Sequence, residues 1–536
     1  MNYDYVIVGA GSAGCVLANR LSADPARRVL LIEAGPEDKS PLIAMPKGFG
    51  KLLTDPRHAT YTPVTPHAGN GHRQEVWARG KMLGGSSAIN GMVYMRAHPA
   101  DYDEWEAAGA TGWGWDEIGR SFKAIEDHVL GEDSLRGSGG PLRIGLHSRR
   151  SELADAVIAA CEQLGLPRHE DINQLDHEGV AYLAYTLRDG VRQSAARAFL
   201  AAVRSRPNLS VLTDAQATRV LFEGTRATGV EVRVGGQLRR FTATREVILS
   251  AGALQSPRLL QLSGVGDAAH LQSLGIAPVA HNPGVGQNMR EHLLYMAQWR
   301  LKEWRHSENR QYAGWRLVAN AARYVLAKSG VLAVGPYPVG GFYKTHVQAS
   351  RADAQLMMCP FTLDFASGSM AMEKIPGMQL FSYALRPESR GHVRITSPDA
   401  DVPADVNPNY LADDEDRRVA VASMRFMRRL VREPSLAALI AEETRPGPAV
   451  ETDEELLDAY RQGGQSGYHA CGTCRMGGDE ASVVDARLRV RGVQGLRVMD
   501  LSVAPTMLSG NTNGPVMAMA WRAAELILED QRRQPA

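Results

Sequence analysis

A mixed α/β fold with more than one domain is predicted, and three observations predict it. At the N-terminus an apolar run, a glycine turn and a helically spaced run follow one another over residues 3–21. A second strand-to-helix passage, over 246–262, turns on small residues. Between them lie β-rich pieces with hairpin turns, and strand-like alternation returns at 379–395. At 536 residues the chain exceeds what one simple core organises, so two domains are the natural division.

The first stretch carries the most information. Tyr5, Val6, Ile7 and Val8 read as a buried parallel strand, and Val16, Leu17 and Leu21 resume with helical spacing. Between them stands Gly9-x-Gly11-x-x-Gly14. In a strand–turn–helix context these glycines permit the tight turn, the approach of a pyrophosphate and close helix–strand packing. The helix N-terminus adds free N–H groups for the phosphates. The next apolar run ends on Glu33, 19 residues after Gly14, where a carboxylate accepts the hydroxyls of an adenosine ribose. A lone glycine fingerprint is weak. With strand, helix and acid in place it reads as a Rossmann-type dinucleotide site.

Composition narrows the rest. With 44% hydrophobic and 22% charged residues and a net charge of +1, the chain has no electrostatic case for nucleic acid. No apolar run reaches the length of a bilayer span. The first strand starts at once, leaving no room for a signal peptide, so a cytoplasmic location is expected, with loose membrane association left open. Five scattered cysteines do not form a disulfide framework.

After Glu33 the chain is Pro- and Gly-punctuated to residue 50, which predicts an extended excursion without long helices. Gly84-Gly85-Ser86-Ser87 lies in the stretch 79–96 and can bring backbone N–H groups against a ring or a phosphate. Helical patterns occupy 153–164 and 194–203. Short strands are expected at 209–212, 218–222, 228–234, 238–242 and 246–250, and a helix at 258–262. Aromatics gather over 296–350, mostly as ordinary core. Residues 413–461 read as two or three amphipathic helices. In the last 70 residues, Tyr468-His469 precedes Gly472-Thr-Cys-Arg-Met-Gly477, and Ser509-Gly-Asn-Thr-Asn513-Gly-Pro515 precedes a helix over 516–528.

At these residues the chain resembles the glucose–methanol–choline (GMC) family of flavin oxidoreductases, in its bacterial alcohol and choline dehydrogenase-like branch. The likeness rests on the N-terminal fingerprint with Glu33 and on Gly80-Lys-Met-Leu-Gly-Gly-Ser-Ser-Ala-Ile-Asn90 through Asp103. It continues in Gly252-Ala-Leu-Gln-Ser-Pro-Arg-Leu-Leu-Gln-Leu-Ser-Gly-Val-Gly266 and the two C-terminal blocks. The resemblance implies a Rossmann-type FAD-binding domain (1–153, 195–295 and 466–536). Interleaved with it is a substrate domain (154–194 and 296–465) on a six-stranded antiparallel sheet flanked by helices. It implies FAD held by Gly9, Gly11, Ser12, Ala13, Gly14, Glu33, Ala34, Gly84, Gly85, Ser86, Asn90, Gly91, Met92 and Val93. Val220 is carried over as a backbone contact to the adenine, and Ala251, Gly252, Tyr468, Asp500, Leu501, Asn511, Thr512, Asn513 and Pro515 complete the set.

Two departures qualify it. Some members bind FAD covalently through a histidine of the first block; Ile89 stands there, so non-covalent FAD is expected. Cys471 and Cys474 form a C-x-x-C without the further ligands a metal needs, and no metal is assigned.

The implied reaction is oxidation of an alcohol to the aldehyde, with hydride passing to flavin N5 and His469 taking the hydroxyl proton. Asn513 is expected to hydrogen-bond the substrate oxygen; the other fourteen histidines carry no comparable context. One dinucleotide fingerprint leaves oxygen, a quinone or another acceptor to take the electrons. The rivals are choline dehydrogenase-like activity, a GMC-fold lyase or photodecarboxylase, and a non-catalytic flavin binder. Residues 331–365 mix Val331, Leu332, Val334, Tyr337, Val339, Phe342, Met357, Met358, Phe361, Leu363 and Phe365 with Asp353 and Asp364. An uncharged aliphatic or aryl primary alcohol fits such a wall better than choline or glucose, and its methionines suit several shapes.

Overall fold

Strand Asn2–Val8 lies at the centre of the first of two large sheets, in parallel with Val29–Ile32 on one side and with the second half of Gln237–Leu249 on the other. In this computed structural model, which describes residues 2–365 and 371–533, Leu209–Leu212 extends the sheet beyond Val29–Ile32, and Leu496–Val498 pairs with Gln237–Leu249. Val29–Ile32 is buried throughout, as parallel strands covered on both faces are. Helix Ser12–Leu21 packs along the C-terminal helix Asn513–Arg533, with the Arg20 guanidinium 4.1 Å from the Trp521 ring centre.

The two strands expected at 238–242 and 246–250 are one strand, Gln237–Leu249. Its first half pairs antiparallel with Arg226–Val234, and its second half runs parallel to Asn2–Val8. No glycine or proline interrupts 237–249, so nothing local ends the strand between its two partners. The helix expected at 194–203 is only a π-helical turn, Ala196–Leu200.

The second sheet runs in the order Ile440–Arg445, Leu293–Leu301, Gly377–Ala384, Ala354–Cys359, Val339–Tyr343 and Gly179–Tyr182, antiparallel throughout. A short seventh strand, Gln465–Ser466, also pairs with Leu293–Leu301. Helices were expected through 413–461. Asp414–Leu430 and Asp453–Gly463 are helical, but Ile440–Arg445 between them is an edge strand whose Glu442 pairs with Arg300.

Both faces of this sheet are apolar, and strand alternation sorts the residues between them. Leu356, Met358, Leu380 and Tyr343 pack with Asp414–Leu430, where the Tyr343 and Phe426 rings stack 3.8 Å apart. Met357, Cys359, Phe342 and Phe381 belong to a separate cluster on the other side. The aromatics of 296–350 divide accordingly: Trp299 and Tyr343 are core, whereas Trp315 is 74% exposed. No helix among the described residues is long and apolar enough to cross a membrane.

Candidate active site

Between the sheets lies a cavity of about 1460 Å³, walled by residues of both. Its nucleotide end is built by the N-terminal glycines. Gly9 has φ +101°, and a Cβ there would lie 2.4 Å from the Ser250 carbonyl oxygen; a Cβ on Gly14 would lie 1.9 Å from the Gly9 oxygen. Both positions therefore hold helix, turn and sheet in close contact. Gly11 differs: a Cβ there meets no protein atom within 4 Å, and the residue lines the cavity. Gly11 also precedes helix Ser12–Leu21 without a side-chain cap, so no protein side chain takes up the first helix N–H groups beside the cavity.

Glu33 is buried on this wall and accepts the N–H of Ala10 at 2.9 Å and of Gly35 at 3.0 Å. Burial pushes its carboxyl up to about 7. Ser12, Ala13, Ala34, Gly85, Ser86, Asn90, Gly91, Met92, Val93, Ala251, Gly252, Tyr468, Asp500, Leu501, Asn511, Thr512 and Asn513 also lie on the cavity wall. Asp500 is fully engaged, accepting from Gly252 N, Ser256 Oγ and Ser502 N.

Four expected contacts fall behind the wall. Gly14 and Gly84 act by packing, Gly84 donating its N–H to Ala10 O at 2.8 Å. Pro515 lies in the first turn of Asn513–Arg533. Val220, expected at the adenine, donates its N–H to Ser263 Oγ at 2.8 Å and lies off the wall. The cavity instead meets its strand at Ala215, Gln216 and Ala217, where the Ala215 N–H reaches Glu33 O.

At the other end His469 is buried beside a second histidine. Its Nδ1 lies 2.9 Å from His292 Nδ1, and His292 Nε2 lies 2.9 Å from the Leu385 carbonyl oxygen. That oxygen can only accept, so His292 carries its proton on Nε2 and accepts at Nδ1. His469 must then donate from Nδ1, which leaves a lone pair on its Nε2. Burial holds both rings neutral: His292 falls to about 4, and His469 lies well below the usual imidazole value, with His292 and Arg79 adding to the effect. Glu291 fixes the backbone, its Oε1 accepting the N–H of both His292 and His469. Tyr468, just before His469, adopts φ +62°, an uncommon conformation for a residue with a Cβ.

His469 Nε2 lies 3.4 Å from Asn511 Nδ2. The amide orientation follows from the next partners. The Tyr383 hydroxyl donates to Gln355 Oε1, and Gln355 Nε2 donates to Asn511 Oδ1 at 3.3 Å, leaving the Asn511 NH₂ toward His469. Asn513, expected at the substrate oxygen, accepts Ser12 Oγ at its Oδ1 at 2.7 Å, and its Nδ2 is buried on the cavity wall without a protein partner. His292, Gln355 and Tyr383 carried no sequence signal, and the structure brings them beside His469 and Asn511.

The remaining wall is apolar, including Met296, Leu332, Met357, Cys359, Leu363 and Phe381. Of the two adjacent methionines only Met357 lines it, since Met358 lies on the opposite sheet face. Its carboxylates among the described residues, Glu33 and Asp500, are tied to backbone N–H groups; Asp353 is engaged with Arg418 and Thr345. Lys47 also lines the cavity, its ammonium 5.4 Å from the Tyr312 ring centre, 5.5 Å from Phe361 and 3.6 Å from Glu308. Cys471 and Cys474 are both free and buried, Cys471 lying 3.8 Å from Met507 Sδ.

Parallel strands and a helix N-terminus meeting at one cavity, with an antiparallel sheet on its far side, are the architecture of a dinucleotide-binding fold. The comparisons make the class specific. The GMC oxidoreductase family matches the chain at residues 3–294 and 387–520, and the chain belongs to that family of FAD-dependent enzymes acting on CH–OH groups. It is 39% identical to alcohol dehydrogenase [acceptor] of Pseudomonas putida, over 98% of this chain and 96% of that one. It is 38% identical to the mitochondrial choline dehydrogenase of Homo sapiens, over 100% and 90%. Among solved structures, pyridoxine 4-oxidase from Mesorbium loti superposes with a TM-score of 0.89 at 33% identity, covering both chains fully.

The residues present fit FAD. Gly11 and Gly252 each leave room where a Cβ would stand, both on the wall, and Asn513 Nδ2 is buried without a protein partner.

Proposed function

We propose that the chain oxidises an uncharged aliphatic or aryl primary alcohol to its aldehyde with non-covalently held FAD, His469 being the base. The observation that carries this reading is the His469 Nε2 lone pair beside the Asn511 amide on the cavity wall. FAD, when bound, accepts the hydride of the carbinol carbon at N5. The chain's own part is proton transfer and positioning. His469 Nε2 takes the hydroxyl proton, and the Asn511 NH₂ donates to the same oxygen as negative charge develops on it. His292 accepts from His469 Nδ1 and keeps the basic nitrogen toward substrate. Segments 1–153, 195–295 and 466–536 hold the cofactor in this reading, and 154–194 with 296–465 hold the substrate.

Non-covalent binding rests on Ile89, which lines the cavity and has no atom to bond the ring. Acid precipitation of the purified protein is expected to release all flavin to the supernatant; yellow colour left in the pellet would refute this.

The substrate class rests on the wall. A buried sugar hydroxyl left unpaired costs about 1–3 kcal/mol, and apolar side chains offer it no partner. A second reading, choline, draws support from the rings of Tyr312, Tyr337, Phe361, Phe381 and Tyr383, since aromatic faces attract quaternary ammonium groups. The Lys47 ammonium already occupies the faces of two of them, Tyr312 and Phe361. Comparing kcat/KM for benzyl alcohol, a medium-chain alkanol, choline and glucose under one acceptor tests both. The alcohols are expected to be preferred by at least about tenfold, the lower range of discrimination for an apolar pocket. A preference for choline would favour the second reading.

A further inference from the structure

Helix Gly314–Ala327 has its apolar side facing outward. Tyr324 is its buried residue, while Trp315 is 74%, Val318 69%, Val325 65% and Leu326 85% exposed. At the angular spacing of an α-helix, Trp315, Val318, Ala319, Ala322, Val325 and Leu326 share one continuous stripe, flanked by Arg316 and Arg323. The opposite side is the one that packs: Ala321 meets the cluster of Tyr324 and Leu332, and Leu317 and Ala321 line the cavity. An outward apolar stripe on a helix that already has an inner packing face marks an interaction surface.

Charge identifies the partner. From 309 to 352 the chain carries six Lys or Arg residues and no Asp or Glu. Among the described residues, the four nearest the stripe pair with no carboxylate. Arg310 lies over Trp304, Arg316 over Trp315 and Lys328 over Tyr324, and Arg323 donates to Ser329 Oγ. A second copy of the chain would bring like charges together across the stripe. An anionic lipid surface meets both features, with Trp315 at the headgroup boundary and the arginines reaching the phosphates. We propose that Gly314–Ala327 docks the protein on an anionic bilayer, lying in the interface plane. Leu317, which is 40% exposed and also lines the cavity, then sets the cavity wall at the lipid boundary.

The test is sedimentation of the flavin-loaded protein with phosphatidylcholine vesicles, with and without about one-third phosphatidylglycerol, each cation near an anionic surface contributing about fivefold in affinity. Binding to the anionic vesicles is expected to be at least about tenfold tighter and to weaken with salt. The double variant Val318→Asp/Leu326→Asp is expected to lose about tenfold or more, while its melting temperature and flavin content stay those of the wild type. Three outcomes overturn the proposal: no binding of the wild type to anionic vesicles, equal binding by the variant, or a wild-type dimer in ultracentrifugation that the variant dissociates, which would make the stripe a contact between copies.

Discussion

His469→Ala is expected to slow reduction of the bound flavin by alcohol by a factor on the order of 10²–10⁴, the usual contribution of a positioned general base. Flavin content should not change, because the nucleotide end of the cavity is built by other segments. Stopped-flow reduction without oxygen separates this step from re-oxidation. Asn511→Ala is expected to cost about 10²-fold, as a lost oxyanion-type donor does, and Asn513→Ala a comparable amount, since its Nδ2 is an unpartnered donor on the cavity wall. The pH profile follows from burial. His469 is held well below the usual imidazole value, so its neutral, basic form predominates above that value and is lost as pH falls through it. The reductive rate should therefore stay level from pH 8 to about 6.5, the ordinary imidazole value, and decline only well below it. A wild-type rate in His469→Ala would remove the assigned base.

His292→Leu is expected to lower the same rate by about 10²–10³-fold, without touching substrate or cofactor. The variant strands the buried His469 Nδ1–H, and the ring can then turn or exchange its proton to Nε2, which destroys the base. Replacing an orienting acceptor in a Ser-His-Asp triad by one that favours the wrong tautomer costs about 10⁴; here the neutral acceptor supports no developing ion pair as strong, so the loss is set lower. His292→Asn should recover part of the rate, because its side-chain oxygen can accept from Nδ1. A purely structural role predicts equal damage from both variants, with KM and melting temperature shifting together. The orienting role predicts a fall in kcat with KM held, relieved in the asparagine variant. Equal, unrelieved losses would reject it.

The nucleotide end was legible in the sequence because its geometry is local. Strand, Gly9 turn and helix are consecutive, the Gly14 contact with Gly9 spans five residues, and Glu33 follows on the neighbouring strand. Backbone sterics decide such an arrangement wherever the chain folds. His469 was legible for a related reason, standing in a block of small residues at a change of chain direction.

The groups that surround His469 were not legible. His292 lies 177 residues away in sequence, and Gln355 lies 156 residues from the Asn511 amide it orients. Nothing in a run of residues says which distant strands will face each other across a cavity. Small offsets mattered as much: the amide beside His469 belongs to Asn511, the cavity meets its strand at Ala215 to Ala217, and Met357 lines it while Met358 faces away. The sequence by itself determined the parallel strand, the glycine turn and the ionisable group to watch, because φ/ψ preferences and periodicity act over a few residues. Only the tertiary structure decided which amide meets the histidine and which nitrogen is basic. In a turn or a strand, one or two positions reverse the direction of a side chain, and packing of remote segments selects among them.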